Sequence, residues 1–257
     1  MPNAQGEFIW FELLTTEPDA AQAFYSDVMG WTVASAGMEG MDYRIITAPD
    51  GQQVGGLMKM PDGMAGGPTW LGYVGVDDVD RSVAGITAAG GAVLMPAMSI
   101  PDVGRIAMVA DPHGVPFYVM RGASDARSNA FMQGDASVGH CVWAELSSPD
   151  PAAAITFYGD MFGWRQKGAM PMGPLGDYQF LHAGEINLGA VMPVVPGGAK
   201  AWQYYFHVPD IDDAASRLAA GGGMILQEPM AIPGGGFSLV AQDPQGARVG
   251  LVGKRKV

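Results

Sequence analysis

Two Trp-x-Glu pairs, Trp10/Glu12 and Trp143/Glu145, each set an indole and a carboxylate on one face of a strand, because strand side chains alternate. A carboxylate beside an indole floor suits a small, partly apolar or aromatic molecule that carries a positive charge or a hydrogen-bond donor. Gln203, Tyr205 and His207 share one strand face by the same alternation, and Leu71, Tyr73 and Gly75 are their counterparts earlier in the chain. His182 closes another strand-like stretch, Tyr178 to His182. An acid, a tyrosine and one or two histidines in an apolar cavity can do general acid–base work, since burial moves their pKa values towards neutrality. Glu145 and His207 are the pair nominated for that role, and Glu145, His207 and His182 are also a conceivable metal set. A plainer reading stands beside each: a hydrogen-bonded structural acid for the glutamates, and satisfied structural or surface side chains for the histidines. His113 sits in a turn, and no role is assigned to His140.

The elements that position these residues occur twice. Trp10, Glu12, Phe24, Tyr25, Gly30 and Trp31 recur 133 positions later as Trp143, Glu145, Phe157, Tyr158, Gly163 and Trp164. Trp70, Tyr73, Gly90, Asp111, Pro112 and Gly114 recur 132 positions later as Trp202, Tyr205, Gly222, Asp243, Pro244 and Gly246. A period of that size is too long for a solenoid and fits two duplicated domains. The boundaries expected are 1–122 for the first domain, 123–135 for a polar connector and 136–257 for the second.

Each half reads as strand, helix and further strands, twice over. Phe8 to Leu14 is rich in strand-forming residues. Thr16-Glu17-Pro18-Asp19 reads as a helix start with a hydroxyl cap, with Ala20, Phe24 and Val28 on one face and Gly30 at the end. Ser148-Pro149-Asp150-Pro151 opens the matching helix, with Ala153, Phe157 and Met161 as its stripe and Gly163 as its end. Strands are expected at Tyr43–Thr47, Val54–Met60, Trp70–Val76, Arg105–Ala110 and Val115–Met120, and a helix at Asp77–Ala89. A Gly- and Pro-rich linker runs from Pro61 to Pro68, and Asp111-Pro112-His113-Gly114 is a hairpin turn.

Composition narrows the function classes. Hydrophobic residues make up 48% of the chain, enough for two packed cores. A net charge of −12 disfavours nucleic acid and anionic lipid as partners, and the Lys254-Arg255-Lys256 tail is too short to offset it. No apolar run reaches the roughly 18 residues of a membrane span. The opening MPNAQGEFIW lacks the form of a secretory leader, and the single Cys141 cannot form an internal disulfide. A cytoplasmic protein is expected. The 18 methionines suit irregular cores. The glycine runs Gly221-Gly222-Gly223 and Pro233 to Gly236 lack the Lys-Ser/Thr of a phosphate loop, and no Ser-His-Asp order or Cys-x-x-Cys pair is present.

This order of elements resembles the vicinal oxygen chelate superfamily: glyoxalase I, bleomycin-resistance proteins and extradiol dioxygenases. The resemblance covers nearly the full length. It rests on Phe-Tyr-x4-Gly-Trp at Phe24–Trp31 and Phe157–Trp164, and on the Asp-Pro-x-Gly turns at Asp111 and Asp243. It implies an α+β fold of four βαβββ units forming two cup-shaped domains. It also implies a divalent metal held by His, Glu or Gln at the cup floor, a donor set suited to Fe, Mn, Ni or Zn. The family's ligand positions fall here on Trp10, Leu71 and Tyr118, and on Trp143, Gln203 and Gly250. Of these only Gln203 is a plausible ligand, so no cofactor is expected; a divalent metal on displaced ligands is the alternative.

The leading expectation is a protein that binds a small, partly apolar or aromatic molecule. Trp10, Glu12, Tyr73, Tyr118, Trp143, Gln203, Tyr205 and His182 line the cups. The alternative is an enzyme of the same superfamily. That would be a metal-dependent lyase or dioxygenase with displaced ligands, or a metal-free isomerase or hydrolase using Glu145 and His207. A third reading has one half degenerate and the more polar second half active. The chain is expected to act as a monomer with paired halves or as a homodimer.

Overall fold

The computed structural model describes residues 3–256 apart from 62 and 65. The expected Pro61–Pro68 linker therefore lies partly outside the described residues. The βαβββ order appears four times. The first module is β1 (Phe8–Thr15), α1 (Pro18–Met29), β2 (Thr32–Ser35), β3 (Tyr43–Thr47) and β4 (Gln53–Lys59). The second is β5 (Thr69–Gly75), α2 (Val79–Ala88), β6 (Ala92–Ile100), β7 (Gly104–Ala110) and β8 (Pro116–Gly122). The third is β9 (Cys141–Ser148), α3 (Pro151–Phe162), β10 (Arg165–Pro171), β11 (Asp177–Ala183) and β12 (Ile186–Pro193). The fourth is β13 (Ala201–Val208), α4 (Ile211–Ala220), β14 (Met224–Ala231), β15 (Phe237–Gln242) and β16 (Arg248–Gly253). The strands form two eight-stranded mixed sheets, ordered β2-β3-β4-β1-β5-β8-β7-β6 and β10-β11-β12-β9-β13-β16-β15-β14. The fold is α+β, with two tandem domains of one kind.

Local chemistry explains most boundaries. Pro18 opens α1 with its φ already set, Asp19 sits in the first turn, and Gly30 ends the helix with a left-handed φ of 69°. The expected hydroxyl cap is absent: Glu17 occupies the cap without a side-chain bond, and Thr15 Oγ1 instead accepts from the Glu17 amide. In α3 the cap is Asp150, which accepts from Ala153 N. The buried stripes also start one residue later than expected. They run Ala21, Phe24, Tyr25, Val28, Met29 and Ala154, Phe157, Tyr158, Phe162, because each tyrosine turns inward beside its phenylalanine.

Compactness divides the chain into two units, each containing parts of both halves. One comprises Met1–Ile9, Gly72–Ser128 and Trp143–Gln203; the other comprises Trp10–Leu71, Asn129–Val142 and Tyr204–Val257. The residues that carried the repeat pin each unit. In the second unit Trp70 Nε1 donates to Tyr25 Oη at 3.0 Å, and that hydroxyl donates to Asp243 Oδ2 at 3.1 Å. Asp243 Oδ1 accepts from the amides of Gln245, Gly246 and Ala247. In the first unit Trp202 Nε1 donates to Tyr158 Oη at 3.0 Å, and the hydroxyl donates to Asp111 Oδ2 at 3.3 Å. Asp111 Oδ1 takes the amides of His113 and Val115. The motif tryptophans match as well: Trp31 Nε1 donates to Gly139 O and Trp164 Nε1 to Gly6 O. Burial pushes the Tyr25 hydroxyl well above the usual tyrosine range and pushes the Asp243 carboxyl up from its ordinary value. Aromatic cores surround both pins, Phe206 with Trp31 and Trp70 in one unit, and Phe8 with Trp164 and Trp202 in the other.

Candidate functional site

The first strand of each half carries the Trp-x-Glu pair, and a tyrosine from two strands away completes it. In the first unit Trp143 Nε1 donates to Tyr178 Oη at 2.7 Å, and Tyr178 Oη donates to Glu145 Oε2 at 2.8 Å. The Trp143 and Tyr178 rings lie within 4° of parallel, with centroids 6.4 Å apart. Phe180 stands nearly perpendicular to both, at 78° and 79°. In the second unit Trp10 Nε1 donates to Tyr43 Oη at 2.9 Å, and Glu12 is buried at 2% exposure. Sequence reasoning missed Tyr43 and Tyr178 as site residues. The signal was present, since a tyrosine stands first in β3 and second in the matching strand β11.

Other nominated residues have separate settings. Tyr73 and Tyr118 are buried partners on β5 and β8, with rings stacked at 4.2 Å and 14°. Gln203 and Tyr205 are buried on β13. Tyr205 pairs with Gly250, and a Cβ there would lie 2.3 Å from the Tyr205 ring, so the ring fills the place of the missing side chain. His182 is the last residue but one of β11, paired with Arg165 and Asn187. Burial, followed by the nearby Lys167, lowers its pKa.

His207 lies near the end of β13 in the second unit, whereas Glu145 belongs to the first. His207 Nδ1 is 2.9 Å from Ser137 Oγ, whose single proton goes to Gly134 O at 2.6 Å. Nδ1 is therefore the donor, and the hydrogen-bond geometry fixes the tautomer. Burial first, with Lys254 and His140 also contributing, lowers the His207 pKa; Asp135 opposes them. The neighbouring connector is clasped by His140, fully buried, with Nδ1 at 2.6 Å from Asn129 O and Nε2 at 3.1 Å from Asp50 Oδ2.

The His207 setting predicts a pH dependence. A histidine whose folded pKa is lowered binds fewer protons folded than unfolded, so its contribution is complete above the unfolded value near 6.5. It is lost as pH falls below 6.5 towards the lowered folded value. Melting temperature should therefore fall between pH 7 and pH 5, and His207→Gln should flatten that slope in a series of thermal melts. An identical slope in the variant would remove His207 from the account.

Five of the six positions at which the family resemblance expects metal ligands carry Trp, Leu, Tyr or Gly, and the sixth is the buried Gln203. Both indole N–H groups are donated to tyrosine hydroxyls, Leu71 is buried aliphatic surface, Tyr118 stacks on Tyr73, and Gly250 lies under Tyr205. Among the described residues, no group of three or more His, Cys, Asp or Glu is placed to hold a metal ion. Among the described residues, no helix is long and apolar enough to cross a membrane.

Comparison with known proteins agrees with this architecture. The family model described as Glyoxalase/Bleomycin resistance protein/Dioxygenase superfamily matches residues 8–119 and again 137–251. The provisionally named glyoxylase CFP32 of Mycobacterium tuberculosis (strain CDC 1551 / Oshkosh) is 35% identical over 95% of this chain and 93% of its own length. The anthracycline biosynthesis protein DnrV of Streptomyces peucetius is 30% identical over 98% and 95%. Among solved structures, the Mn(II)-bound glyoxalase from Novosphingobium aromaticivorans is similar with a TM-score of 0.68 at 19% identity, covering 99% of this chain and 84% of that one. At that identity the likeness concerns the fold alone. By the double family match and the full-length relatives, this chain belongs to the glyoxalase/bleomycin resistance protein/dioxygenase superfamily, as a tandem two-domain member.

Proposed function

We propose that this protein binds a small, partly apolar or aromatic molecule against the aromatic and carboxylate faces of its first strands. The Trp143–Tyr178–Glu145 chain carries the reading. It holds two rings in nearly parallel planes, ends on a carboxylate, and is only half-buried. Locked rings bind flat apolar groups at little entropic cost, and the carboxylate selects a donor or a cation. The name of the relative DnrV lends support, since anthracyclines are fused aromatic systems. A cytoplasmic location, action as a monomer or homodimer, and a share for Trp10, Glu12, Tyr73, Tyr118, Gln203, Tyr205 and His182 in the binding surfaces belong to the same proposal.

The test is titration with 1-naphthol and 1-hydroxyanthraquinone, followed by tryptophan fluorescence and thermal shift. Binding should quench fluorescence, and Trp143→Leu should weaken affinity at least about tenfold. No quench and no thermal shift with either probe would overturn the reading.

A second reading is a superfamily enzyme, with a metal on displaced ligands or with metal-free acid–base chemistry at Glu145; the pairing with His207 expected from the sequence is dropped, since that residue belongs to the other unit. The 2.8 Å bond between Tyr178 and Glu145 favours the metal-free form, because it links an acid to a hydroxyl in a half-buried setting. Turnover of a dicarbonyl or catechol that vanishes in Glu145→Gln with the melting temperature unchanged would put that reading in place of simple binding. Elemental analysis of protein purified without chelator would separate the metal form from the metal-free one.

A further inference from the structure

We infer that the wall formed by Trp143, Tyr178, Phe180 and Glu145 is a subsite for an organic ammonium group, and that the equivalent wall of the first half is not. The inference rests on the small-molecule reading above and names the charge of the ligand.

The argument starts from one row of side chains across three neighbouring strands. Phe180 on β11 pairs with Ala190 on β12, and Ala190 pairs with Glu145 on β9. Adjacent strands lie about 4.8 Å apart, so Phe180 and Glu145 flank the Ala190 methyl with roughly 10 Å between their backbones. Ala190 is fully buried, while Phe180 and Glu145 are half-buried. A notch follows, with a methyl floor, a phenyl wall and a carboxylate wall. Trp143 and Tyr178 add their nearly parallel rings, and Phe180 meets both almost at right angles with centroids 6.1 and 5.9 Å away. A right-angled aromatic corner beside a carboxylate matches an alkylated ammonium. The ring faces attract the diffuse charge, the carboxylate neutralises it, and the methyl groups bury against carbon. The net charge of −12 favours cation approach.

The first half shows what abolishes such a notch. The matching row is Ile45, Gly56 and Glu12. An aliphatic side chain stands where Phe180 stands. A Cβ on Gly56 would lie 2.0 Å from Tyr43 Oη, so the tyrosine hydroxyl occupies the space that the Ala190 methyl takes in the second half. Glu12 is accordingly buried at 2% exposure, whereas Glu145 keeps part of its surface.

The experiment compares choline with its neutral carbon isostere, 3,3-dimethylbutan-1-ol, by titration of the intact protein, with proton NMR of the ligand methyl groups. Choline should bind at least about tenfold more tightly, with its methyl resonances moved upfield by the rings. Glu145→Gln should bring the two affinities together. Phe180→Leu should weaken choline several-fold, and Phe180→Tyr, which keeps the ring face, should restore it. Glu185→Gln removes an exposed carboxylate elsewhere and should leave the preference intact. Equal binding of both probes by the native protein, or a preference that survives Glu145→Gln, would overturn the inference. If 1-naphthol binds without any choline preference, the ammonium subsite is lost and the small-molecule reading stands. If neither naphthol, hydroxyanthraquinone nor choline binds, both are lost.

Discussion

Replacing Asp243 by alanine should lower stability by about 3 kcal/mol or more and melt the protein some 6–12 °C earlier. The size follows from what the carboxylate holds. Three backbone amides converge on Oδ1, and the buried Tyr25 hydroxyl donates to Oδ2. Alanine strands the buried Ala247 amide and the buried Tyr25 hydroxyl, while Gly246 N keeps its bond to Asp243 O, and each stranded donor costs about 1–3 kcal/mol. Burial raises the pKa of Asp243, so the charged form is itself disfavoured in place. A raised folded value means that the group's contribution is complete below the unfolded value and declines as pH rises through the folded one. Asp243→Asn keeps an acceptor for the amides without a charge. It should therefore cost far less than alanine, and the gap between the two should be plain at neutral pH. Urea melts of both variants at pH 7 test this. Equal losses for asparagine and alanine would show that the hydrogen-bond account is wrong.

Gly189→Ala should be still more damaging, at roughly 4 kcal/mol or more, with little folded protein recovered. Gly189 has φ +149°, and a Cβ there would sit 1.7 Å from the carbonyl oxygen of Ala144. The clash is with backbone in the β9–β12 pairing, where Gly189 faces Ala144, so no rotamer relieves it. Ala144 lies between Trp143 and Glu145, so any folded remainder should also lose the aromatic probes. Gly184→Ala is the comparison. Its φ is +57° but nothing lies within 4 Å, so only the backbone cost of about 1 kcal/mol is expected. Similar yields and melting temperatures for the two variants would contradict the steric argument.

Much of the fold was legible because the repeated residues are structural. Tyr25, Trp31, Trp70 and Asp243, with Tyr158, Trp164, Trp202 and Asp111, make the buried hydrogen bonds of the two units, and burial leaves little freedom to change them. Strands β2, β6, β10 and β14 were not individually legible. Every residue of β10 is exposed, and β6 and β14 each contain a proline, so none shows a clean apolar alternation. At the candidate site, alternation placed Trp143 with Glu145 but said nothing about which residue of another strand would reach them. Tyr178 reaches them because the β11–β12 pairing sets its row, and that pairing shifts register between Leu181 and His182. Alternation likewise grouped His207 with Gln203 and Tyr205. It is silent on position along a strand, and His207 lies near the end, against Ser137 just beyond the connector.

The two tyrosine–aspartate pins span very different lengths of chain, 47 residues for Tyr158–Asp111 and 218 for Tyr25–Asp243. On a ribosome adding about 5–20 residues per second, Tyr25 waits roughly 10–40 s for its partner to be made. The unit pinned by Asp243 is thus completed after the other, whose last segment runs to Gln203. Until then α1 and its aromatic face have no carboxylate to close on, and newborn chains shortened before residue 243 should be the ones that chaperones hold and proteases cut.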